Sequence, residues 1–262
     1  DRRQRQMCIR DRKKEVLKDL PDKIEKNMAA CMEQKQKELY HAHAQRLALM
    51  LQNQTEEEFA DSRFQVLSEL TRLRQLCCDP ALVYENYEGG SAKLDLCIEL
   101  IQSAVESGHK ILLFSQFTSM IEILTARLQE ESISYFVLQG STKKEQRAQM
   151  VEQFNRDDTS VFCISLKAGG TGLNLTGADI VIHYDPWWNV AVENQATDRA
   201  HRIGQKNVVT VYKLIAKGTI EEKIIKLQQR KKELAEEILS GDEIKTASFQ
   251  REELLELLEE RF

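Results

Sequence analysis

Five short, continuous apolar runs, separated by amphipathic stretches, constrain this chain more than any other feature. The runs are KILLF (110–114), ISYFVL (133–138), VFCIS (161–165), DIVIHY (179–184) and VVTVYKLI (208–215). Between and before them, apolar residues recur at helical spacing. One such stretch opens at Ser91 and carries Leu94, Cys97, Ile98, Ile101 and Val105 on one face; others cover 118–130, 143–154 and the region near 190–201. Strands with no polar alternation are buried on both faces, and alternation of strand with helix makes such strands parallel. The expectation is an α/β fold, a parallel sheet with helices on both faces, flanked by an N-terminal helical segment and C-terminal helices. Ligands in such sheets gather at the carboxyl ends of the strands.

The flanks read as helical. Residues 13–60 are helix-prone and charged, with Pro21 forcing an extended entry; the pattern predicts a long helix from about Asn27 to Gln54. A second helix, about Glu57 to Cys78, carries Phe64, Leu67, Leu70 and Leu73 at helical spacing and ends at Asp79-Pro80. Thr219-Ile-Glu-Glu222 reads as a capping box that opens a helix to about Ser240, and Leu254, Leu255, Leu257 and Leu258 mark a last short helix. His41 and His43, two apart, fall on different helix faces and do not read as metal ligands. The first twelve residues, DRRQRQMCIRDR, resemble the translation of a sequencing-library adapter and are set aside from the fold. The expected organisation is thus 1–12 adapter remnant, 13–90 helical segment, 91–240 α/β lobe and 241–262 helical tail.

Composition excludes some classes. No apolar run approaches the roughly 18–20 residues of a membrane span, and no apolar signal core follows the basic start. The six cysteines show no CxxC and no zinc spacing, which reads as reduced structural thiols and a cytoplasmic location. A net charge of −5 argues against a dedicated basic nucleic-acid module, though a local strip of contacts remains open.

Two stretches carry chemistry. SLKAGGTGLNLTGAD (165–179) follows an apolar strand and holds Gly169, Gly170, Gly172 and Gly177, which let backbone N–H groups approach a phosphate; Ser165, Lys167, Thr171 and Asn174 add side-chain donors. A tight turn without ligand explains the same glycines. The stretch is no P-loop, since GxxxxGK[ST] occurs nowhere in the chain. In QATDRAHRIGQ (195–205), Gln195, Arg199 and Arg202 are spaced i, i+4, i+7 and would share one face of a continuous helix. Two guanidiniums and an amide suit charged oxygens; a solvated charged face is the alternative.

LLFSQFTSMIEIL, LQGSTKKEQRAQMVEQFN, SLKAGGTGLNLTGADIVIHYDPWWNVAVENQATDRAHRIGQ and VYKLIAKGTIEEKI together resemble the helicase C-terminal lobe of the Swi/Snf branch of superfamily 2, over about residues 91–240. KEVLKDLPDKIE and LRQLCCDPALVYENY resemble the segment joining the two lobes of such motors. The resemblance implies a RecA-like lobe that closes on a first lobe carrying the nucleotide pocket, with ATP and Mg2+ held mainly by that first lobe. It implies that Arg199 and Arg202 reach ATP across the cleft, with Gln195 opening their motif and Gly170, Gly172 and Asn174 beside the nucleotide. It places Gln116, Ser141, Thr142, Ser165, Lys167 and Gly169 along a DNA strand, and Trp187 and Trp188 beside the cleft, where core packing is their other reading. Ser165-Leu-Lys167 stands where Thr-Arg is common in the family, and Thr171 where Leu is common; Lys167 keeps the positive charge.

No Walker lysine and no DExx box following an apolar strand occurs, and Asp242-Glu243 follows a helix. The expectation is a truncated motor: an ATP-dependent double-stranded-DNA translocase when complete, acting on DNA and a DNA-bound protein, with little hydrolysis by this chain alone. A free-standing, non-catalytic lobe that binds DNA or a partner is the alternative. A strand-separating helicase of a neighbouring branch is disfavoured by the DPWWN segment. The compact form resembles prokaryotic members, which implies a cytoplasmic, nucleoid-associated protein.

Overall fold

The computed structural model describes residues 20–168, 172–237 and 251–258. All five apolar runs are strands: β2 (Ile111–Ser115), β3 (Tyr135–Leu138), β4 (Val161–Ser165), β5 (Ile180–His183) and β6 (Val209–Ala216). Their mutual pairings are parallel, and every residue of β2, β4 and β5 is buried. Helices α3 (Ala92–Glu106), α4 (Thr118–Glu130), α5 (Lys144–Phe154) and α6 (Val190–Thr197) connect or precede them. Cys97, Ile101, Ile121 and Leu124 pack on one face of the sheet, against Ile111, Leu113 and Ile182. Phe154, Leu175, Ala196 and Ala200 pack on the other, against Leu112, Phe162 and Val181.

The sheet has a sixth strand that periodicity does not reveal. β1 (Lys23–Ala30, KIEKNMAA) lies at the edge of the order β1-β6-β5-β2-β4-β3 and pairs in parallel with β6, from Lys23 opposite Val209 to Ala30 opposite Ala216. The first long helix therefore begins later than expected, as α1 (Gln34–Gln52). Residues 27–30, predicted helical, are strand because β6 offers their backbone a ladder; only Ala30 of the eight is buried. Lys23, Glu25 and Lys26 keep this edge hydrophilic, which discourages pairing with other chains.

Beside the sheet stands a helical annex of α1, α2 (Glu56–Cys78), α7 (Ile220–Glu237) and α8 (Arg251–Leu258). Tyr40, Ala44, Leu47 and Leu51 of α1 meet Phe59, Val66, Leu70 and Leu73 of α2, together with Ile220, Ile224 and Leu254. Two residues expected on the buried face of α2 are not there: Phe64 is 88% exposed and Leu67 56%. The apolar stripe runs through Phe59, Val66 and Leu70 instead, and Phe64 and Leu67 lie off it. Thr55 and Glu58 form a reciprocal capping box at the start of α2. The box expected at Thr219–Glu222 is rearranged. Thr219 Oγ1 accepts from Glu221 N, Glu222 reaches Gly218 N rather than Thr219 N, and Ile220 N donates to Tyr40 Oη at 2.7 Å. An N–H of the first turn is thus satisfied from α1. Residues 1–19 and 238–250 lie outside the described residues, and with them the adapter-like start, the end of the 219–240 helix and Asp242-Glu243.

Candidate functional site

The parallel order brings the ends of β2, β3, β4 and β5 to one edge of the sheet. β2 connects onward to β3 on one side, while its neighbour β5 connects to β6 on the other, so β2 and β5 flank the point where strand order reverses. An open crevice at such a point is the usual ligand position. Here it is filled by Arg74, which reaches in from α2 with 3% exposure. Its Nη1 donates to Gln116 Oε1 at 2.9 Å and its Nη2 to the Pro186 carbonyl at 2.6 Å, with Asp185 Oδ2 at 3.7 Å. The guanidinium lies 5.1 Å from the Trp187 ring centroid, 5.7 Å from Phe117 and 5.8 Å from Trp188.

Asp185 completes this cluster. Its carboxylate accepts from Ser115 Oγ at 2.5 Å and from Gln116 N at 3.2 Å. Burial pushes the carboxyl above its ordinary value, opposed by Arg74 and by the Ser115 hydroxyl. The two tryptophans straddle the molecule: Trp187 packs against the sheet core and Trp188 against the annex core. These contacts correspond to the core-packing reading of the pair. Arg74, Ser115 and Asp185 were not singled out from sequence. The available signal was a charged residue at position i+4 from Leu70, on the apolar side of a helix.

A second buried pair lies close by. Lys93 Nζ donates to Glu221 Oε1 at 2.6 Å and Oε2 at 2.5 Å, and to the Tyr184 carbonyl at 3.3 Å. Burial is the largest single influence and opposes the Lys93 ammonium, but the Glu221 carboxylate and its hydrogen bond, together with Cys78 and Cys77, raise its pKa on balance. Glu221 also accepts from Ala216 N, so the pair joins α3, β6 and α7.

The expected DNA-side residues separate into two kinds. Lys167 and Ser141 are exposed at the carboxyl edge, and Thr142 is half-buried with its Oγ1 accepting from Gln139 N. Ser165 is buried, and its Oγ accepts from Ala168 N, so the hydroxyl faces the turn. Gln116 is half-buried and held by Arg74. Gly169, Gly170 and Thr171 lie outside the described residues. Gly172 has φ +41° and open space around its α-carbon, a conformation that favours glycine. Asn174 is exposed, its carbonyl accepting from Asn155 Nδ2. Gly177 presses on Asn155, where an added Cβ would meet Oδ1 at 2.9 Å.

The expected common face of Gln195, Arg199 and Arg202 is not present. α6 ends at Thr197, and the chain continues through turns in which Arg199 N bonds Ala196 O and Arg202 N bonds Ala200 O. Gln195 and Arg202 are exposed, whereas Arg199 is 7% exposed, with its pKa lowered by burial and by the neighbouring Arg202 charge. Both arginines instead bracket the glycine-bearing loop. Leu175 N donates to Arg199 O at 3.0 Å, and Arg202 Nη1 reaches Leu173 O at 3.4 Å. Gln205 fixes the same loop by donating to the carbonyls of Thr176, Ala178 and Ala200.

Comparison with known proteins places this arrangement. Residues 92–204 match the helicase conserved C-terminal domain, and residues 3–82 match the SNF2-related domain, a match that begins inside the adapter-like segment. A Mycoplasma pneumoniae protein described as an uncharacterized ATP-dependent helicase is 41% identical over 96% of this chain, which spans 24% of that protein. The Sulfolobus solfataricus SWI2/SNF2 ATPase core in complex with dsDNA superposes with a TM-score of 0.71 at 34% identity, over 86% of this chain and 48% of that one. The C-terminal domain of the Sulfolobus solfataricus SWI2/SNF2 ATPase gives a TM-score of 0.68 at 33% identity, over 84% of this chain and 91% of that domain. The chain therefore belongs to the SWI2/SNF2-type superfamily 2 ATPases and has the fold of their C-terminal domain.

Proposed function

We propose that this chain is the second motor lobe of an ATP-dependent double-stranded-DNA translocase. Its site is completed by a first RecA-like lobe of the same polypeptide, and the complete motor acts on duplex DNA and on protein bound to it. The observation that carries this reading is the bracketing of the 172–178 loop by Arg199 and Arg202, on a chain similar to an ATPase core solved with dsDNA. The residues fit a nucleotide phosphate. Arg202 is exposed with one long bond to a carbonyl, Arg199 is positively charged and buried beside it, and Gly172 leaves space for close approach. ATP with Mg2+, held mainly by the first lobe, would supply the phosphoryl group; Arg199 and Arg202 offer it fixed positive charge, held against the loop they bracket, with Gln195 in the opening position of their motif. Preorganised arginines of this kind favour charge that grows in the transition state. Lys167, Ser141, Thr142, Ser165 and Gln116 form the strip that follows a DNA backbone, and Gly172 and Asn174 serve the nucleotide side; by motif, Gly169 belongs with the first set and Gly170 with the second, both outside the described residues.

In the chain joined to its first lobe, Arg202→Ala should lower kcat by on the order of 10³–10⁵ while sparing duplex affinity. A variant that melts earlier but keeps full specific activity would instead make Arg202 structural. Robust DNA-stimulated turnover by the 262-residue chain alone would overturn the need for a first lobe. Lys167→Glu should weaken duplex binding and flatten its dependence on salt, because a phosphate contact releases counterions.

A further inference from the structure

The switch-point crevice between β2 and β5 is where a ligand is expected, yet the annex fills it with one of its own side chains. We infer that Arg74 is a positioning residue: it fixes the β2–α4 loop, which carries Gln116, and the β5–α6 loop, which carries Trp187 and Trp188, in the register needed to engage duplex DNA. This rests on the DNA reading above and adds to it a residue from outside the expected contact strip.

The geometry supports a double grip. One guanidinium nitrogen holds Gln116 Oε1, and the other holds the carbonyl of Pro186, immediately before the tryptophans. A planar fork can hold two acceptors on separate loops at once, whereas an ammonium is a single point. Three aromatic rings line the cation, from Phe117 on the first loop and Trp187 and Trp188 on the second. Asp185 closes the circuit by accepting from Ser115 and from Gln116 N. The two loops are thereby connected through α2 and not only through the sheet.

Gln116 adds an independent sign. Its Oε1 is taken by Arg74, while its Nε2 is buried without a hydrogen-bond partner. A buried unpaired donor is costly, and native proteins retain few of them outside sites with a role. With its acceptor pinned, the amide keeps its donor in reserve, and a small opening of the loop would offer it to a phosphate oxygen.

The test uses the full 262-residue chain, whose only two tryptophans are those beside Arg74, so intrinsic fluorescence reads the clamp directly. Three variants are compared with wild type: Arg74→Lys, Gln116→Ala and the double substitution. Arg74→Lys keeps the charge but loses the fork. It should raise iodide quenching of the tryptophans about twofold or more and weaken low-salt binding of a short duplex about tenfold, the loss expected for a bond to a charged group. Gln116→Ala should weaken binding by a similar factor, and the double variant should bind no worse than the weaker single one, because both remove one linkage. Unchanged quenching in Arg74→Lys overturns the clamp whatever happens to DNA. Altered quenching with unchanged duplex affinity, measured on protein shown folded by thermal melting, overturns its link to DNA, as do effects that multiply in the double variant. If the wild-type chain binds no duplex, the DNA reading falls and takes the Gln116 role with it, and quenching alone then decides whether Arg74 sets the two loops.

Discussion

The sheet lobe and the helical annex are held together by opposite means. Within the lobe, β2, β4 and β5 are buried throughout and most of their neighbours are aliphatic or aromatic, with Asp185 and Thr197 meeting Ser115 and His183 at the strand ends. Where the annex meets the lobe, buried charge is prominent beside the apolar contacts: Arg74 against Asp185, and Lys93 against Glu221. The hydrophobic driving force is strong but non-directional, whereas a desolvated ion pair needs good geometry to offset its desolvation. The lobe therefore draws its cohesion from area, and the annex is seated at a defined angle by its charges.

If Lys93 and Glu221 set the seating, their removal should be lopsided. Lys93→Met leaves a buried carboxylate uncompensated and should cost about 3–5 kcal/mol in chemical denaturation. Lys93→Met combined with Glu221→Leu should recover most of that stability. A double variant as unstable as the single would mean that the pair supplies cohesion and not only orientation. The next effect belongs to the lobe alone. His183 is buried in β5, bonds Thr197 Oγ1 and stacks on Phe114, and burial pulls its pKa down to about 4 from 6.5. The unfolded chain takes up the proton first, so this contribution is complete above pH 6.5 and is lost as pH falls through about 4. The loss is up to roughly 3 kcal/mol. A His183→Gln variant should show a flatter acid limb in denaturation profiles; an identical slope would assign acid sensitivity to other groups. The smallest effect is expected on the outer face of α2. Phe64→Ser should change stability by no more than about 0.5 kcal/mol, against about 2–5 for Leu70→Ala four residues before Arg74. A large loss for Phe64→Ser would show that the exposed ring is covered in solution.

The lobe was legible because its central strands β2, β4 and β5 are short, mostly apolar runs whose few polar residues, Ser115, Ser165 and His183, stand at their carboxyl ends, so VFCIS and KILLF announce themselves. The annex was less so. KIEKNMAA looks helical by composition and becomes strand only because β6 lies beside it, a tertiary fact that no local window contains. Phe64 and Leu67 repeat at helical spacing, as core residues do, and only the position of α1 shows that they face away. At the proposed site, the glycine loop and the arginines stand out in the sequence by type and spacing. Their shared helix does not form: propensity extends α6 through AHRI, while the 173–178 loop holds Arg199 and Arg202 in turns. Arg74 was hidden by being a single charge in a long charged helix; its importance comes from residues 42 and 112 positions away.

The pairing of β1 with β6 also has a consequence in time. Among the described residues, β1 is the first strand and pairs only with β6, roughly 190 residues later, so a growing chain must carry it unpaired while α1, α2 and the rest of the sheet are made. At translation rates of about 5–20 residues per second, that wait is on the order of ten to forty seconds. An apolar strand waiting so long would be an aggregation hazard; one reading Lys-Ile-Glu-Lys-Asn is not. The charges that disguised β1 in the sequence are what let the sheet be finished last from its earliest-made end. Pulsed hydrogen exchange during synthesis should register this as late protection of the β6 amides that face β1.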